Sequence, residues 1–111
     1  MFTRLNAYHI MWLFVFFDLP TNHKKERKAA AIFRKNLIKD GFAMMQYSVY
    51  TRHCASNESA IVHIKRVQSM LPPWGEVSIL KITDKQFGYM LNYYGRQRKD
   101  PAPSPGQLEL F

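Results

Sequence analysis

Asp18 is the residue of this chain best placed for chemistry. It closes the apolar and aromatic run Ile10-Met-Trp-Leu-Phe-Val-Phe-Phe-Asp18 and is followed at once by Leu19-Pro20. A proline removes a backbone donor and stops a strand, so the acid is left at a sheet rim where a loop begins. A basic segment comes directly after it: Lys24, Lys25, Arg27, Lys28, Arg34, Lys35 and Lys39 carry seven positive charges, opposed by Glu26 and Asp40. Such an excess of one sign suits phosphate groups, although the commoner fate of a charge run is a solvated face. Taken alone, Asp18 also suits a strand-end acid that accepts backbone N–H bonds at the start of a helix. Other chemistries lack their residues. His9, His23, His53 and His63 make no metal-ligand spacing with one another or with Cys54 and read as surface or core filler. There is no glycine-rich phosphate loop and no nucleophile elbow.

The elements that must position these residues follow from the apolar pattern. The run ending at Asp18 is too short to span a bilayer and reads as a strand buried on both faces. Thr21 and Asn22 are good N-cap types and Asp40-Gly41 supplies a stop, which brackets a helix whose inner stripe is Ala29, Ala30, Phe33, Leu37 and Ile38. Phe42 to Thr51 alternates as a second strand. Ser56 or Asn57 then caps a second helix with the stripe Ala60, Ile61, Ile64, Val67 and Leu71, ended by Pro72-Pro73. Glu76 to Thr83 is a third strand, and Asp84-Lys85-Gln86 a turn. A further strand belongs either between Met1 and Ile10 or between Gln86 and Tyr94. This order predicts an α+β fold, a ferredoxin-like split βαβ sheet with both helices on one face and the other face free for a partner or ligand.

At 111 residues and 47% hydrophobic content the chain supports one domain with a real core, set at residues 1–94, of which 1–10 read as either an N-terminal extension or an extra edge segment. Residues 95–106 are a basic, proline-spaced linker, and Gln107-Leu-Glu-Leu-Phe111 alternates again as a short C-terminal strand suited to pairing with a neighbouring sheet edge. An aromatic-rich sheet on so small a domain predicts a homodimer that buries one sheet face. The net charge of +8, from 16 Lys plus Arg against 8 acids, points to a polyanion, nucleic acid before an anionic membrane. The lone Cys54 excludes an intrachain disulfide and a cysteine zinc cluster and fits the reducing cytoplasm. No run reaches transmembrane length, and no signal-peptide order is present.

Phe14-Val-Phe-Phe-Asp18-Leu-Pro20, the basic helix closing on Gly41, Gln46-Tyr-Ser-Val-Tyr50 and the Thr83-Asp-Lys-Gln-Phe87 turn together resemble the small CRISPR adaptation protein, the "Cas two" family. The closing turn and aromatic-ended tail are similar to the subgroup accompanying single-effector (type II) systems. The resemblance spans residues 11 to 111; residues 1 to 10 precede the family's usual start. It implies CRISPR spacer acquisition by a symmetric ferredoxin-like dimer that binds double-stranded DNA prespacers and bridges dimers of the integrase subunit. It also implies metal-dependent endonuclease activity on RNA or DNA, with Asp18 as catalytic and metal-binding residue and Mg²⁺ or Mn²⁺ as cofactor. Leu108, Leu110 and Phe111 then contact the integrase or the opposite protomer.

Mg²⁺ wants six oxygens, so one carboxylate holds it poorly; a two-fold axis near Asp18 would bring a second. No second acid, general base or lysine has the fixed spacing of a known nuclease. Lys24, Lys25, Arg27, Lys28, Arg52, Arg96 and Arg98 are the expected phosphate contacts, which position a duplex without reading its bases. A single-stranded RNA reader without catalysis is the alternative on the same fold. Lys39-Asp-Gly-Phe-Ala43 resembles its aromatic motif, but at a helix end leading into the second strand, the wrong element for that module.

Overall fold

A computed structural model describes residues 10–99. The elements, in chain order, are β1 (Met11–Asp18), α1 (Lys24–Lys39), β2 (Ala43–Gln46), β3 (Val49–Cys54), α2 (Asn57–Ser69), β4 (Glu76–Thr83), α3 (Asp84–Gly88), β5 (Asn92–Tyr94) and β6 (Gln97–Lys99). The first four strands form one antiparallel sheet in the order β2-β3-β1-β4, so the first six elements, βαββαβ, make the ferredoxin-like fold. No helix of the described residues is long and apolar enough to cross a membrane.

β1 lies at the centre because its side chains can be buried on either side. Leu13, Val15 and Phe17 point to the helices and form the core with Phe33 and Leu37 of α1 and Ala60 and Val67 of α2. Leu13, Val15, Phe33, Leu37 and Val67 are all but inaccessible, and each such side chain stabilises the fold by about 1.5–3 kcal/mol. Ile38, Ile61 and Leu71, expected in the inner stripes, stand exposed at their margins instead.

The second strand differs from expectation. Phe42 to Thr51 is not one strand but the hairpin β2–β3, turning at Tyr47-Ser48 with a register shift between Met44 and Gln46. This supplies the fourth strand of the sheet; of the two places proposed for it, residues 1–9 lie outside the described residues and residues 86–94 hold only one short strand, β5, which pairs outside this sheet. Alternating residues continue through a two-residue turn almost unbroken; the reversal shows in the Gln46–Val49 pairing, and the Phe17 N–H ties the turn to β1 by donating to the Ser48 carbonyl at 3.1 Å.

The caps are local and mostly as expected. Ser56 accepts the Ser59 N–H at 3.1 Å to start α2. Gly41, at φ 91°, ends α1 in the left-handed conformation that glycine adopts without penalty. At the other end of α1 the cap is His23 rather than Thr21 or Asn22, with the Glu26 carboxylate accepting the His23 N–H at 2.9 Å.

The sheet face away from α1 and α2 is half covered rather than free. Thr83 caps the short α3 where a simple turn was expected, and this swings Phe87 over the sheet. Phe87 stacks on Trp12 with ring centroids 3.9 Å apart and planes within 5°. The Trp12 indole donates to Asp84 Oδ1 at 2.7 Å, and the Asp84 N–H donates to the Ile10 carbonyl at 2.9 Å. Phe16 and Leu80, 38% and 47% accessible, remain uncovered further down the same face. β5 and β6 pair in a separate hairpin reaching Lys99, so regular structure runs past residue 95, where the linker was expected to begin.

Candidate nucleic-acid interface

Asp18 is exposed at the last position of β1, on the sheet face opposite the helices. Its register partner on β4 is Glu76, also exposed. Directly opposed residues of an antiparallel pair hold their Cβ atoms about 4.5–5.5 Å apart, and like charges there repel. The two acids border a shallow depression of about 320 Å³ with Phe16 and Ser78. Gly75 fits tightly beneath: at φ 92° it approaches so closely that an added Cβ would stand 2.6 Å from the Asp18 carbonyl oxygen.

Among the described residues no group of three or more His, Cys, Asp or Glu could hold a metal ion. One chain thus offers an opposed pair of carboxylates, oxygen donors of the kind Mg²⁺ and Mn²⁺ prefer, but too few to complete a shell. That donor set fits an ion shared with a second copy or with substrate phosphate. Glu76 was missed by sequence reasoning. The available signal was that β1 ends where an antiparallel β4 must begin.

The expected phosphate contacts fall into three groups. Lys24, Lys25, Arg27 and Lys28 are exposed together on the first turns of α1, where Arg27 also donates to the Thr21 carbonyl at 3.0 Å. Arg96 and Arg98 are exposed on the β5–β6 hairpin. Arg52 stands apart. Its Nε donates to the Asp40 carbonyl and its Nη1 to the His53 carbonyl, both at 2.7 Å, so it closes the end of α1. Leu108, Leu110 and Phe111 lie outside the described residues.

A second feature, also unforeseen, braces this scaffold. The Asp40 carboxylate meets His63 Nδ1 at 2.7 Å and Arg66 Nη1 at 3.0 Å, joining the end of α1 to α2. Burial pushes the Asp40 carboxyl up, but its hydrogen bonds with His63 and Arg66 and their charge outweigh this and hold it below the ordinary 3.8. His63 shares the buried stripe of α2 with Ala60 and Val67, a spacing that could have flagged it as a core residue needing a partner. Cys54 is buried beside Arg52, and burial raises its thiol above the ordinary value.

The family model described as "CRISPR associated protein Cas2" matches residues 11–90. A protein of Flavobacterium psychrophilum is 52% identical over 110 residues, covering 99% of this chain and 96% of that one. A protein of Parvibaculum lavamentivorans is 56% identical over 101 residues, 91% of this chain and all of its own. Both carry the name "CRISPR-associated endoribonuclease Cas2". A solved structure described as "Crystal structure of cas2" covers 84% of this chain at 19% identity and a TM-score of 0.49; the fold assignment rests on the strand order above.

Proposed function

The chain belongs to the CRISPR associated protein Cas2 family, and from that membership we propose that it serves spacer acquisition as a two-fold symmetric scaffold for double-stranded DNA. The observation that carries this reading is the division of the fold into two surfaces. Lys24, Lys25, Arg27 and Lys28 form a cationic flank on α1, while Phe16, Leu80, Asp18 and Glu76 occupy an uncovered part of the opposite sheet face. Apolar surface left open beside an acidic rim suits a second copy of the chain, which would bury Phe16 and Leu80 and bring the acids of both protomers towards the axis. The cationic flanks then remain outward, where they hold phosphates and steer a duplex without regard to sequence. The integrase subunit is the partner that such a scaffold bridges, with Leu108, Leu110 and Phe111 as its contacts. The test is spacer capture in cells together with light scattering of the purified protein. Charge reversal at Lys24 and Lys25, or truncation at Gly95, should abolish capture while the dimer persists; normal capture in both variants overturns the reading.

A second reading, metal-dependent endonuclease activity, is favoured by the opposed acids Asp18 and Glu76 and by the endoribonuclease name of the relatives. Asp18, Glu76 and their symmetry mates would hold Mg²⁺ or Mn²⁺, which when bound orients or activates a water for attack on phosphorus. Asp18 and Glu76 themselves supply the carboxylate oxygens, and the tight packing of Gly75 on the Asp18 carbonyl fixes where the first of them sits. Cleavage of RNA and DNA by purified protein should disappear in Asp18→Asn with folding and dimerisation intact. Undiminished cleavage there assigns the activity elsewhere.

A further inference from the structure

Arg34 and Tyr47 make a feature that neither reading uses. The Arg34 guanidinium carbon lies 5.5 Å from the Phe17 ring centroid and 4.9 Å from that of Tyr47, so the cation is stacked against one core ring and one surface ring. Tyr47 is 73% accessible at the tip of the β2–β3 hairpin. The Phe17–Ser48 backbone bond pins that tip to the end of β1. Among the described residues no carboxylate pairs with Arg34, and its Nε is the one enclosed side-chain nitrogen or oxygen without a hydrogen-bond partner. An enclosed donor left without a partner is costly. Arg34 as a whole is half-buried, and among the described residues no hydrogen bond holds its two Nη groups, which leaves the donor fork that matches a phosphate. Tyr47, with Arg34 on one side, still has most of its surface open.

We infer that Arg34 and Tyr47 form a subsite for one unpaired nucleotide, with its phosphate on the Arg34 fork and its base stacked on the Tyr47 ring. Stacking on an aromatic ring accepts any base but requires one that is out of a duplex. The subsite lies at the same end of β1 as Asp18: Phe17 turns its side chain to Arg34, and the next residue turns to the acidic rim. A strand leaving a duplex therefore has a place to be held where the sheet rim begins. This rests on the proposed nucleic-acid scaffold and adds to it the recognition of an unpaired end.

The test is fluorescence anisotropy of the full-length protein with three probes sharing one duplex: blunt, with a short unpaired DNA overhang, and with the same overhang in RNA. Arg34→Gln and Tyr47→Leu should each weaken binding of an overhanging probe by about tenfold and leave the blunt probe unchanged, while Tyr47→Phe should bind as the parent does. Loss confined to the DNA or to the RNA overhang identifies the source of the strand and supports the subsite. Equal loss on blunt and overhanging probes, or no loss on any, overturns it. Charge reversal at Lys24 and Lys25 separates the two readings, because it should weaken all three probes alike. If the parent ignores the blunt duplex yet holds the overhang through Arg34 and Tyr47, the duplex scaffold fails and the subsite stands. Because Arg34 also packs on Phe17, thermal melts of each variant accompany the binding; a lowered midpoint with unchanged discrimination between probes assigns the pair a purely structural role and overturns the inference.

Discussion

Asp18 and Glu76 face one another as the terminal register pair of β1 and β4, two exposed acids brought together by strands 58 positions apart in the chain. Their repulsion is the physical reason to expect a cation there. Asp18→Asn or Glu76→Gln should raise thermal stability slightly, by about 0.2–1 kcal/mol, in metal-free buffer. Mg²⁺ should stabilise the parent and have less effect on either variant. Calorimetry with and without Mg²⁺ checks this, and a metal response unaffected by both substitutions would refute the shared site.

Gly75 governs where Asp18 sits. Its positive φ and the 2.6 Å approach of an added Cβ to the Asp18 carbonyl mean that Gly75→Ala must move the β1 end or its own turn. A loss of about 1–3 kcal/mol in urea unfolding is expected from the backbone conformation and crowding. Any Mg²⁺ response should weaken with it, although no carboxylate has been removed.

The Asp40–His63–Arg66 brace predicts an acid limit. The folded carboxyl is held below its ordinary 3.8, so the stability it contributes is present above that value and is lost as pH falls through the lower folded value. Asp40→Asn should flatten the acid side of the melting-temperature profile. Asp40→Ala should cost about 1–3 kcal/mol near neutral pH by leaving His63 without its partner, measured by urea titration.

For the α1 flank, replacing Lys24, Lys25 and Lys28 by Gln should make the salt dependence of duplex binding shallower, by about 0.9 in the logarithmic slope for each true phosphate contact. Arg52→Gln should behave differently. Its guanidinium already closes α1, so stability should fall more than the salt slope. Binding isotherms at several salt concentrations, paired with melts, separate the two behaviours.

Much of the fold was legible without coordinates because it is written locally. The run into Asp18-Leu19-Pro20, the cap at Ser56, the stop at Gly41 and the alternation of Glu76 to Thr83 each depend on residues within a few positions of one another. Those signals suffice for the α+β order and for placing Asp18 at a rim with cations following. The Tyr47-Ser48 reversal escaped because alternation persists through a tight turn, and α3 escaped because five residues are too few to show helical spacing.

By itself the sequence determined a central strand ending in an acid, two amphipathic helices on one side and a strongly positive surface, all consequences of apolar period and charge count. Only the tertiary structure decided that Glu76 stands opposite Asp18, that Asp40 meets His63, that Phe87 covers Trp12 and that Arg34 rests on Tyr47. The reason is that such pairs are set by strand register and turn geometry. A one-residue slip sends every side chain of a strand to the opposite face, so residues far apart in the chain become neighbours only once the whole sheet has closed.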